Sequence, residues 1–112
     1  MEAKELRIGN LFRFISTNFI EYVSDIKTNG LKTPVINNVS IKDTEPIPLT
    51  KEWLIKFGFE EALNGWWSPC EEYSYREGNF YLGANIFLAK IDYVHQLQNL
   101  YFALTNEELK IK

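Results

Sequence analysis

The segment from Asp92 to Thr105 constrains this chain most, because winding it as a helix produces two faces suited to burial where a surface helix has one. Tyr93, Val94, Leu97, Leu100, Tyr101 and Leu104 fall on an arc about 120° wide, the width of a core-facing stripe. On the other side His95, Gln98, Asn99 and Phe102 recur at i, i+3, i+4 and i+7. Two amides, an imidazole and a phenyl ring together are not what a solvated face collects. Two arrangements satisfy this pattern. Either the helix is sandwiched between a C-terminal sheet and an N-terminal β unit, with His95 a hydrogen-bonded core group, or the face docks another chain with Phe102 as its aromatic anchor. His95, Gln98, Asn99 and Phe102 are therefore the candidate partner contacts.

Upstream of this helix the sequence divides near residue 48. Ile8–Ile15, Ile20–Ile26 and Val35–Ile41 are rich in β-branched and aromatic residues and are separated by Ser16-Thr17-Asn18 and Thr28-Asn29-Gly30. Period-two alternation in the second and third segments gives each a mostly apolar face, so they read as strands of an antiparallel meander. By analogy a meander of this size curls into a small SH3-like barrel. Pro46-Ile47-Pro48 closes the β region, since proline cannot donate to a ladder.

A short helix over Lys51–Phe57 follows. Thr50 is its N-cap, Glu52 lies in the first turn, and Leu49 and Leu54 are placed as a hydrophobic staple. Gly58 and Phe59 then supply the left-handed stop and its packing on Leu54. After Asn64-Gly65, six aromatics lie within Trp66–Leu82, and Glu77-Gly78-Asn79 marks a hairpin. The expected strands are Glu72–Arg76, Asn79–Leu82 and Ile86–Ile91, with Asp92 capping the long helix. Thr105 and Glu108 have capping-box spacing, which predicts a final turn or short strand through Leu109 and Ile111. The fold class is α+β: an N-terminal meander, a short helix, and a three-stranded antiparallel sheet packed on the C-terminal helix. A length of 112 residues fits one domain, with subregions 1–48 and 49–112.

The words Glu5-Leu6-Arg7-Ile8-Gly9-Asn10, Pro46-Ile47-Pro48-Leu49-Thr50, Glu52-Trp53-Leu54, Lys56-Phe57-Gly58-Phe59 and Tyr93-Val94-His95 through Leu104-Thr105 occur together in this order. In them the chain resembles a family of short uncharacterised proteins from Bacteroidetes genomes, their phages and mobile elements. Asn106 stands where that family is expected to favour glycine. The resemblance implies a bacterial or phage-associated setting and carries no activity, cofactor or catalytic residue.

Charge and ligand content limit the chemistry. Residues 1–56 hold eight Lys/Arg against seven Asp/Glu, and residues 57–112 hold four against eight, within a formal charge of −3. No basic cluster provides the footprint of a duplex-DNA binder, so nucleic acid is disfavoured as a partner. Cys70 and His95 are the single cysteine and histidine, which excludes an internal disulfide and a multi-Cys/His zinc site, and no cofactor is implied. The N-terminal residues lack a secretion signal's apolar run, and no stretch approaches a membrane span, so a cytoplasmic protein is expected.

Cys70 with His95 is the one Cys/His nucleophile pair the chain can offer, and a small enzyme would require the two in contact. The carboxylate pairs Glu60-Glu61, Glu71-Glu72 and Glu107-Glu108 read as solvated, since neighbours in a strand point to opposite faces. Trp66, Trp67, Tyr73 and Tyr75, with Tyr81, are the aromatic surface candidates. They would serve a single-stranded nucleic-acid binder if exposed and a hairpin core if not. The reading that follows is a non-enzymatic protein-interaction or assembly module.

Overall fold

In a computed structural model, residues 6–27, 30–36, 39–63 and 65–111 are described, and they form an α+β fold of small antiparallel sheets and two helices. Strands β1 (Leu11–Phe14), β2 (Ile20–Tyr22) and β5 (Thr44–Glu45) make a three-stranded sheet in the order β2-β1-β5. Strands β3 (Asp25–Lys27) and β4 (Gly30–Lys32) pair separately as a hairpin. Among the described residues the N-terminal strands thus do not follow one another in a single meander or close into a barrel.

Local hydrogen bonding explains where these strands depart from the expected ones. The run Ile20–Ile26 changes partners halfway, because Val23 N donates to Asn10 O at 3.0 Å and Ser24 N to Lys32 O at 2.8 Å. Val35–Ile41 alternates like a strand, yet its start is a turn in which Thr33 N donates to Ile36 O and Ile36 N to the Thr33 hydroxyl. Among its described residues only Val39 joins a ladder, through a bridge to Leu31, and Ile41–Asp43 form a single 3-10 turn. Residues 37–38, and 28–29 of the expected turn, lie outside the described residues. Phe12, Val23, Leu31, Val39 and Leu6 bury together beneath these elements.

The short helix α1 (Lys51–Lys56) begins after Thr50, whose extended backbone places it at the N-cap. Its hydroxyl is not used to cap the backbone; it bonds the Glu52 carboxylate, which is held below the usual carboxylate range chiefly by Glu52's own backbone N–H and then by Thr50. The stop matches the expected motif, with Gly58 at φ 85°, Gly58 N donating to Ile55 O and Phe59 N to Leu54 O, both at 3.0 Å.

The C-terminal sheet has five strands where three were expected. Strands β6 (Glu60–Ala62) and β7 (Gly65–Trp67) precede β8 (Tyr73–Arg76), β9 (Asn79–Leu82) and β10 (Ile86–Lys90), in the order β10-β9-β8-β7-β6. Gly65 makes the β7–β8 approach feasible: at φ 140°, a Cβ there would sit 2.6 Å from the Tyr75 carbonyl oxygen. Helix α2 (Val94–Thr105) packs with α1 on the sheet around Trp53, Leu54, Phe57, Phe80, Leu97 and Tyr101. Its N-cap is Tyr93 rather than Asp92, and Gln96 Oε1 accepts from both Asp92 N (2.9 Å) and Tyr93 N (3.1 Å). At the other end Asn106 adopts φ 59°, the left-handed conformation for which asparagine is the common substitute for glycine. The Thr105 hydroxyl turns back to Tyr101 O at 2.7 Å, so no further helix starts, and Leu109 buries in the main core from irregular chain.

Candidate functional site

On the side of α2 that carries His95, Gln98, Asn99 and Phe102, the last three meet the chain's own N-terminal segment. Gln98 is buried; its Nε2 donates to Gly9 O at 3.1 Å and its Oε1 accepts from Leu11 N at 2.8 Å. One glutamine thus completes the backbone at the start of β1 with the geometry of a ladder residue. Asn99 Oδ1 accepts from Asn10 Nδ2 (2.8 Å) and Arg7 Nε (3.1 Å), and fully buried Asn10 in turn accepts Arg7 N at its own Oδ1. The Arg7 guanidinium lies 4.4 Å above the Phe102 ring centroid and is paired with Glu108. A cation held between a ring, an amide and a carboxylate fixes the segment at Arg7 to α2 and to the chain just after it. His95 is 1% exposed, with the Tyr93 ring 6.0 Å away and nearly parallel. Of the two arrangements open to the sequence, the structure places Gln98, Asn99 and Phe102 in the first, with Arg7 over the Phe102 ring, and His95 is buried on the same helix.

Arg7, Asn10 and Glu108 are the partners that sequence reasoning missed. They lie about ninety residues from Gln98 and Asn99 or at the far end of the chain, and no spacing rule links them.

The structure does not bring the candidate Cys/His pair together. Cys70 is exposed in the turn after Ser68, 3.3 Å from the Ser68 hydroxyl, and bonds Tyr101. His95 lies six residues before Tyr101 on α2, about 9 Å along the axis and a third of a turn around it. The Tyr101 phenol is pushed well above its ordinary value, first by burial and then by its bond to Cys70.

The aromatic candidates divide by strand face. Cross-strand register puts Trp66 opposite Tyr75, Tyr75 opposite Phe80 and Phe80 opposite Ala89, and this row packs on the core. Tyr73 is also buried, stacked on Phe80 at 5.6 Å. Burial raises the hydroxyl pKa of both Tyr73 and Tyr75. Trp66, Tyr73 and Tyr75 are therefore core residues rather than surface platforms. Trp67 alone of the four belongs to the outer face, where its row continues through Ser74 to Tyr81 and Phe87. Glu60 and Glu61 oppose Trp67 and Trp66 respectively, so adjacent carboxylates do point apart.

A second exposed region lies on the N-terminal sheet. A hollow of about 380 Å³ is lined by Phe14, Ile15, Ile36 and Val39, with Ser16, Ser40, Lys42 and Asp43 at its margins. Phe19 and Val35, next to this lining in the chain, are 71% and 75% exposed. Between Ile8 and Ile36 lie Ile15, Ile20, Tyr22 and Ile26, all exposed as well. Among the described residues no group of His, Cys, Asp and Glu could hold a metal ion, and no helix is long and apolar enough to cross a membrane. Compared with protein-family models, curated proteins and solved structures, the chain matches none.

Proposed function

We propose that this chain is a non-enzymatic protein-interaction module that receives an apolar side chain of a partner protein in the hollow between the β1–β2 hairpin and the segment around Ile36–Asp43. The observation that carries this reading is the hollow itself, whose apolar floor includes the exposed Ile15 and Ile36. A floor of Phe14, Ile15, Ile36 and Val39 with a polar margin is the anatomy of an interface pocket, in which one desolvated anchor carries most of the binding energy. A hollow with an apolar floor, two of whose residues, Ile15 and Ile36, are themselves exposed, is a feature that interaction surfaces use. The near-neutral balance of residues 1–56 suits contact with a protein surface better than with a polyanion. The docking function read from α2 is thereby moved to the N-terminal sheet, since the chain itself occupies the α2 face.

The test replaces Phe19 and Ile36, both exposed, by serine, a change that removes apolar surface without opening the core. Wild type and variant are immobilised and exposed to lysate of the organism that carries the gene, with sedimentation of the pure protein alongside. The expected result is a polypeptide retained by the wild type, lost by the folded variant, and able to bind the purified wild type at a saturable site. Failure of any purified polypeptide to distinguish the two, or loss of self-association as the sole difference, would overturn the proposal.

A further inference from the structure

We infer that the outer face of the five-stranded sheet is a stacking platform for a short single-stranded nucleic acid. This goes beyond the protein-docking reading and uses a different face. Register places Phe87, Tyr81, Ser74 and Trp67 in one row across four adjacent strands, β10 to β7, on the side away from the core. Strand spacing makes that row about 14 Å long. Phe87 is 58% exposed and meets Tyr81 edge-on at 6.0 Å. A second row beside it runs Lys90, Asn79, Arg76, again by register.

The two rows together specify the ligand. Flat groups bind on one side and negative charge on the other, in a chain that crosses the strands: bases on Trp67, Tyr81 and Phe87, phosphates toward Arg76 and Lys90. A neutral sugar would leave the cations unused, and an acidic peptide would leave the rings unused. The Arg76 guanidinium already lies 4.3 Å over the Tyr81 ring, a plane on which a further base can stack. Between Trp67 and Arg76 the small Ser74, its hydroxyl donating to Gly83 O at 2.6 Å, leaves a hollow of about 290 Å³. Glu60 ends the ring row at β6, which sets the platform's length at about three bases, one per ring.

The platform explains how a chain with an acidic C-terminal half would bind a polyanion: stacking rather than a broad field supplies the affinity. With two phosphate contacts, log K should fall with log salt at a slope of only about −1.4. The probe is a fluorescein-labelled single strand of about twelve mixed-sequence nucleotides, as DNA and as RNA, followed by anisotropy. Wild type should bind either strand saturably and bind the matching duplex much more weakly. Tyr81→Ala with Phe87→Ala should weaken binding tenfold or more, and Phe87→Leu, which keeps the bulk and removes the ring, should weaken it severalfold. Arg76→Gln with Lys90→Gln should flatten the salt slope. The Phe19→Ser, Ile36→Ser protein should bind the strand like wild type, so this inference and the protein-docking reading fail separately. Absence of saturable binding at about 10⁻⁴ M protein, equal binding to duplex, displacement of the strand by polyglutamate as readily as by unlabelled strand, or indifference to the ring substitutions would overturn it.

Discussion

Replacing Gln98 by leucine tests how firmly β1 is held by the C-terminal helix. Leucine has similar bulk and favours helix, so neither a cavity nor helix propensity complicates the result. What disappears is the amide, and with it the partner of Leu11 N (2.8 Å) and of Gly9 O (3.1 Å). A backbone group deprived of its partner costs about 1–3 kcal/mol when buried, and both Gly9 and Leu11 are half-buried, so the pair together should cost about 2–4 kcal/mol. For 112 residues, an unfolding entropy of about 2.1 cal/mol/K per residue converts this to a fall in Tm of about 8–17 °C. Calorimetry and guanidinium unfolding of Gln98→Leu, with the exposed Ala103→Gln as control, measure it directly. A Gln98→Leu protein within about 0.5 kcal/mol of wild type would refute the claim that this face of α2 is an internal interface.

Other expected outcomes follow from the same contacts. Phe102→Asp should lower stability by about 1–3 kcal/mol, because it removes the half-buried ring on which Arg7 packs and adds a second carboxylate to the one, Glu108, that Arg7 already pairs; loss of self-association with unchanged unfolding would contradict this. Gly65→Ala should destabilise by about 1–3 kcal/mol or more by forcing β7 away from β8, readable as lost protection of β7–β8 amides in hydrogen exchange. Tyr73, Tyr75 and Tyr101 all have hydroxyl pKa values raised by burial, so the folded state holds their protons more tightly than the unfolded chain does. Their contribution is therefore fully present below the unfolded tyrosine pKa of about 10 and is lost as pH rises through the folded values. Ultraviolet titration should show these three ionising late, together with unfolding, and Tyr101→Phe should shift that unfolding to higher pH.

Elements whose residues satisfy their own needs locally were legible in the sequence. Helix α1 has its N-cap position, staple residues and Gly58 stop within ten residues, and all fall where expected apart from the use of the Thr50 hydroxyl. Strands β8, β9 and β10 were found because Glu77-Gly78-Asn79 fixes a hairpin and the alternation beyond it is clear. Strands β6 and β7 were not, since Glu60-Glu61 carries no apolar pattern and the pairing is defined by the partner strand alone. Val35–Ile41 failed for the opposite reason: its alternation is good, but the Thr33–Ile36 turn takes up the backbone groups a ladder would need. The second face of α2 was visible as a pattern that left two occupants open, the N-terminal unit or another chain, and the residues that meet it were not visible. Arg7 and Asn10 meet it only through tertiary packing, which no local period encodes. Likewise adjacency in the sequence grouped Trp66 with Trp67, and the pleat then sent one to the core and the other to the open face.

Native-state hydrogen exchange at the Leu11 amide bears most directly on the central assertion, that α2 clasps the N-terminal strand of its own chain. This N–H donates to the Gln98 side chain, so its protection reports that contact. The expected value is an opening free energy close to that of the Leu97 amide, which closes the first turn of α2 on Tyr93 O beneath a fully buried side chain, both opening with the whole protein. Exchange of Leu11 near the rate of an unprotected peptide, while Leu97 stays protected, would show that the two halves are not held together in this way.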